Sequence, residues 1–176
     1  MNKTFLSLLT AVALVPSLHA GDGKSFKETK TVITQDTCRF RDQEFQIDGF
    51  YSGIIGSSGS RFHTGSGGGF GLNYFFCRYV GVGFEAQWYS NGGVAEHMPC
   101  GGNLIFRYPI CAWNLAPYVM VGGGGAWDGV GTGYGNVGGG IEYRFTDHVG
   151  VFVDGRYLYG GSGNVADIRS GIRIAF

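Results

Sequence analysis

Taken segment by segment, ten charged side chains fall on the polar parity of an alternating pattern: Asp48, Glu85, Arg107, Glu142, Arg144, Asp154, Arg156, Asp167, Arg169 and Arg173. In an extended strand, residues of one parity lie on one face, so these five carboxylates and five guanidiniums face the same way. Such a face can neutralise itself, and charges enclosed together are expected to pair rather than line an open channel. Other chemistry is poorly represented. His63, His97 and His148 are each solitary in a loop or turn, and the cysteines form no C-x-x-C, so no metal is expected. The glycine runs at 122–125 and 129–140 lack both a following helix and a Lys-Ser/Thr pair, which excludes a phosphate loop. No cofactor is expected. A formal net charge of zero argues against a nucleic-acid partner.

The elements that must hold this face are strands. From residue 45 onward the hydrophobic period is two nearly everywhere. Eight segments can be marked, at 45–55, 67–76, 80–89, 101–108, 113–127, 134–145, 149–159 and 165–176. Their connectors alternate between short turns (77–79, 109–112, 146–148) and longer stretches rich in glycine, serine and asparagine (56–66, 90–100, 128–133, 160–164). An even strand number with short turns at one end and longer loops at the other is the plan of an outer-membrane barrel. The fold expected is all-β: an eight-stranded antiparallel up-and-down transmembrane β-barrel.

Alternation alone does not say which face is outside. Three features do. All four lysines precede the first strand, whereas a water-washed barrel would use lysine on its surface. Gly71, Gly81, Gly83, Gly138, Gly140, Gly150 and Gly171 share the charged face, which suits a crowded lumen where side chains from opposite walls compete for volume. The apolar face carries aromatic rings near both ends: Phe45, Phe76, Tyr108, Trp113 and Phe145 toward the short turns, and Trp88, Trp127, Tyr157 and Tyr159 toward the long loops. Rings in that arrangement are the girdles of a bilayer-spanning barrel.

Ahead of the barrel, Lys3, an apolar core at 5–15 and a small residue at Ala20 have the plan of a cleaved signal peptide over 1–20. A polar periplasmic arm is expected over 21–44, and the barrel over 45–176. Export permits disulfides. Cys38, Cys77, Cys100 and Cys111 allow three complete pairings that sequence alone does not rank. A turn-to-turn bridge between Cys77 and Cys111 is the pairing expected here.

With its eight-strand plan, the "APYVMVGGGG" strand (116–125) and the terminal "SGIRIAF", the chain resembles the small bacterial outer-membrane barrels of the OmpA-like and opacity-protein group. The resemblance runs from about Phe45 to Phe176. It implies that Ile168, Ile172, Ile174 and Phe176 form the signal read by the barrel-assembly machinery. It also implies outer-membrane lipid as the surroundings, a lumen plugged by internal salt bridges, and a non-enzymatic structural or surface-contact role with an extracellular partner left unnamed. A narrow low-conductance pore is the alternative. A lipid A-modifying enzyme is a third reading, because "WYSNGG" (88–93) is similar to the Ser-Asn-Gly segment of the lipid A deacylase family. That family has a histidine two residues before the serine, where this chain has Trp88. Ser90 without a base would be a weak nucleophile, and the segment reads more simply as a turn.

Overall fold

The computed structural model describes residues 38–56, 64–91, 94–127, 132–160 and 163–176, with backbone alone at 91, 94–98, 126–127 and 132. The expected signal peptide, most of the polar arm and His63 lie outside the described residues. Eight strands follow in chain order: β1 (Glu44–Gly56), β2 (Gly65–Cys77), β3 (Val80–Asn91), β4 (Val94–Arg107), β5 (Leu115–Trp127), β6 (Thr132–Arg144), β7 (Val149–Gly160) and β8 (Val165–Ala175). Each pairs antiparallel with the next, and β8 returns to β1, so the sheet closes without an edge.

The period of two that marks the strands also sorts their faces. In β7 every second residue is buried from Gly150 to Leu158, and the residues between them are exposed. The usual polarity is reversed. Val119, Val153, Ile168 and Ile172, all outward, are 57–58% exposed, while Glu142 and Arg144, both inward, are wholly buried. A strand of 12 residues extends roughly 40 Å. Tilted as barrel closure requires, it stands roughly 30 Å tall.

Strand ends shift by a residue or two from the sequence reading, and one shifts by more. β4 begins at Val94 rather than at 101, and β3 runs on to Asn91, so most of 90–100 is a paired hairpin instead of a loop. Ser90 is therefore a strand residue opposite Ala95, which corrects its reading as part of a turn. At the other end β5 starts at Leu115, because Cys111–Trp113 form a single 3-10 turn. That turn ends on Asn114 in the left-handed region (φ 52°), where asparagine is among the few tolerated side chains.

Inward glycines make room for rings. A Cβ on Gly171 would stand 2.8 Å from both the Phe50 Cβ and the Phe152 ring, and one on Gly81 would stand 2.8 Å from the Phe75 ring. Phe50 and Phe152 meet edge to face, 6.4 Å between centroids. These inward aromatics are the lumen's apolar filling.

Candidate functional site: a paired lumen and its strap

All ten charged residues marked on sequence grounds are buried inside the barrel. They fall into two groups along its axis. Toward the short turns, Arg173 (β8) holds Asp48 (β1) and Glu142 (β6), with nitrogen–oxygen distances of 2.6 Å to each. Arg144 binds Glu142, and Arg107 (β4) lies 3.8 Å from the same carboxylate. Toward the long loops, Arg169 (β8) closes on Asp154 (β7) with two hydrogen bonds of 2.7 and 2.6 Å and on Glu85 (β3) at 3.0 Å. Arg156 (β7) grips both oxygens of Glu85. Asp167 has a tyrosine for a partner instead, the Tyr89 hydroxyl donating to it at 3.3 Å. Two-pronged guanidinium–carboxylate pairs are the strongest of their kind and fix geometry as well as charge.

Several of these guanidiniums also lie on a ring. Arg107 stands 3.7 Å above Phe75, Arg169 4.4 Å above Phe50 and Arg173 4.7 Å above Phe152. The flat, weakly hydrated guanidinium tolerates such an enclosed, aromatic setting in a way that an ammonium would not.

A further carboxylate completes the short-turn group. Glu44, assigned on sequence grounds to the arm, is the first residue of β1 and fully buried, 2.9 Å from Arg107 and 2.7 Å from Arg144. Its parity with Asp48 was the available signal. Ahead of it, residues 38–43 form a strap across the short-turn mouth. Phe40, 1% exposed, lies between the guanidiniums of Arg107 and Arg144, at 5.1 and 5.0 Å. The same two arginines donate to the strap's carbonyls, Arg107 to Arg41 at 3.4 Å and Arg144 to Arg39 at 3.3 Å. Arg39 donates in turn to the carbonyls of Arg144 and Phe145, at 2.7 and 2.6 Å. Asp42 accepts from the Arg78 backbone in the β2–β3 turn, at 2.7 Å.

A disulfide ties the strap down, and it corrects the expected pairing. Cys111 is bridged to Cys38, with Cα atoms 4.7 Å apart, and Cys77 is not disulfide-bonded. The physical reason is the strap. Because residues 38–43 cross the mouth, Cys38 comes to the β4–β5 turn and packs with Phe40 and Ala116. Cys100, likewise unbridged, belongs to the other end of the barrel.

The remaining marked residues face outward. Phe45, Phe76, Trp88, Tyr108, Trp113, Phe145, Tyr157 and Tyr159 are exposed, and the Trp127 side chain lies outside what is described. Ile168, Ile172, Ile174 and Phe176 are exposed along β8 and at its end. Phe176 donates its backbone N–H to Phe45 at 2.8 Å and sets its ring 6.3 Å from that residue's ring. His148 Nδ1 lies 2.9 Å from the Ala175 carbonyl at the foot of β8. Ser90 is exposed, and the register sets His97 opposite Tyr89.

No family model matches the chain, and no curated protein sequence matches it significantly. Solved structures do. The N-terminal β-barrel domain of OprF from Pseudomonas aeruginosa aligns with a TM-score of 0.64 at 17% identity, covering 77% of this chain and 99% of that one. OprG, an outer membrane protein of the same organism, aligns at 0.57 and 12%, covering 79% and 99%. Ail, the attachment invasion locus protein of Yersinia pestis, solved with the heparin analogue sucrose octasulfate, aligns at 0.53 and 13%, covering 77% and 99%. At these identities the likeness is one of fold. The chain is built as the small eight-stranded outer-membrane barrels are.

Proposed function

We propose that this protein is an integral β-barrel of a bacterial outer membrane, reached by export on a cleaved signal peptide, with a non-enzymatic structural or surface-contact role. The observation that carries the reading is the inverted polarity of the wall. Valines, isoleucines and aromatic rings cover the outside, and arginines and carboxylates fill the inside. Hydrocarbon tolerates such a surface and water does not, and closure leaves no backbone group unpaired at an edge. Heat-modifiable gel mobility of outer-membrane fractions tests it: a compact species that resists SDS until boiled is expected there. Absence of the protein from that membrane would overturn the reading.

The lumen is proposed to be plugged. Eight strands enclose only enough space for their own side chains, and here that space holds paired charges, rings and a strap across one mouth. Little or no steady conductance is expected in planar bilayers; a large, stable open state would restore the narrow-pore alternative. A surface-contact role would fall to the long-loop end. One barrel of like fold, Ail, has been seen with a sulfated heparin analogue. In this chain the charged residues of that end are Arg61, Glu96 and Asp128, with no surplus of positive charge to hold a polyanion. Deleting 57–63, between β1 and β2, together with 128–131, between β5 and β6, should abolish any surface contact made by these connectors; contact that survives would exclude a role for them.

A further inference from the structure

Charge is balanced in the short-turn half of the lumen, where Glu44, Asp48 and Glu142 meet Arg107, Arg144 and Arg173. Among the described residues it is not balanced in the other half. There Arg156 and Arg169 are shared between Glu85 and Asp154. Asp167 is left over. In the ladder it stands opposite Arg156, yet that guanidinium reaches across the lumen to Glu85.

The groups around Asp167 are rich in oxygen and short of donors. Its Oδ2 accepts from the Tyr89 hydroxyl at 3.3 Å, but its Oδ1 makes no hydrogen bond to any described residue. Gln87 spends its amide nitrogen on the Tyr89 hydroxyl and leaves its Oε1 without a partner. Ser52 lies beside the Tyr89 hydroxyl, and its Oγ is likewise without a partner. These side chains are nearly or wholly enclosed: Asp167 and Ser52 at 0% exposure, Gln87 at 2%, Tyr89 at 6%. Their proximity comes from the register. Ser52 on β1 and Tyr89 on β3 both pair with Gly67 of β2, so the position between them carries no side chain. Tyr89 also packs in one buried cluster with Ile54, Leu158 and Val165, with Tyr134 against them.

We propose that Asp167, Gln87, Ser52 and Tyr89 form a binding site for one small monovalent cation of about the size of sodium. A buried carboxylate whose neighbouring guanidiniums are paired with other carboxylates is costly, and a buried oxygen without a partner adds to the cost. A proton on Asp167 would serve one of the three partnerless oxygens; a hard cation accepts lone pairs from all of them. One surplus negative charge calls for one positive charge, and a divalent ion would overshoot. The site needs only one carboxylate, so it leaves no mark in the sequence of the kind a His or Cys cluster leaves.

The test is thermal unfolding of the full barrel refolded in detergent, at fixed pH and ionic strength, in sodium, potassium, calcium or N-methylglucamine chloride. Sodium is expected to raise the midpoint by a few degrees over N-methylglucamine in a saturable way, as a ligand bound only to the folded state must. Asp167→Asn should abolish the difference, and Ser52→Ala should weaken it. A midpoint indifferent to the cation, even one that moves with pH, would overturn the proposal, as would a response to calcium alone. A sodium response undiminished in Asp167→Asn would also overturn it. If that variant does not refold, the wild-type salt series and Ser52→Ala decide.

Discussion

Arg173 on β8 and Asp48 on β1 stand directly opposite each other at the seam where the barrel closes, joined by two hydrogen bonds of 2.7 and 2.6 Å. Only these two strands must find each other across the whole length of the chain. The pair clasps the seam from within, while the backbone ladder from Gln46↔Ala175 to Gly56↔Val165 holds it along its length.

Arg173→Met should therefore strand the buried carboxylate of Asp48, leave Glu142 to Arg144 and Arg107, and cost about 3–5 kcal/mol of stability. Urea unfolding in lipid vesicles, followed by tryptophan fluorescence, measures it. Adding Asp48→Asn should restore part of the loss, because the stranded charge is then gone. A loss below about 1 kcal/mol in the single variant would mean that solvent reaches the pair.

Cys111→Ser opens a covalent loop that spans 73 residues of sequence separation. The expected loss is roughly 2–5 kcal/mol. Phe40→Ala should cost about 3–5 kcal/mol, since the ring fills the space between two guanidiniums. In Cys111→Ser the contacts to Arg107 and Arg144 remain, so the strap should stay docked but exchange its amide hydrogens faster. Unchanged exchange at residues 38–43 in Cys111→Ser, and again when Phe40→Ala is added to it, would contradict this account of the strap.

An outward charge distinguishes lipid from water around the wall. Val153→Arg, on the exposed face of β7, should destabilise the barrel in a bilayer by about 2–4 kcal/mol. On a water-washed surface the same change would fall within about 0.5 kcal/mol of zero. Refolding titrations in vesicles read the difference directly.

Ser90→Ala should leave the lipid A mass spectrum of a producing strain unchanged and alter stability by less than about 0.5 kcal/mol. Ser90 sits exposed in a strand with Trp88 two residues before it. A change in lipid A acylation that depends on Ser90 would revive the enzymatic reading.

What the sequence made legible was whatever repeats along a strand. Parity alone assigned Asp154 and Arg156 to the lumen and Val153 and Tyr157 to the wall, because a pleated strand leaves each side chain one choice of face. Parity does not say who meets whom across the lumen. That Arg156 passes over Asp167, its neighbour in the ladder, to reach Glu85 depends on the diameter and stagger of the closed sheet. The Cys38–Cys111 bridge was missed for a related reason: it joins a segment outside the strand pattern to a turn 73 residues away. Two omissions were avoidable. Glu44 continues the parity of Asp48, and Phe50 and Phe152 share the parity of the charged face, which should have marked them as inward rings beneath arginines. The β4 extension back to Val94 was obscured by glycine and proline around 90–100, which read as loop until the pairing with β3 and β5 is seen.

The strap also decides how the barrel would bear a mechanical load. A pull on the chain ahead of Cys38 does not reach the first residues of β1 directly. It passes through the disulfide into the β4–β5 turn on the other side of the mouth, and so into the middle of the sheet. Without that link the same pull would unzip β1 from β8 one hydrogen bond at a time, at the seam where the cylinder is most easily opened. With it, several strands are drawn together in shear. Anything fastened to the N-terminal segment is thus anchored to the far wall and spares the seam.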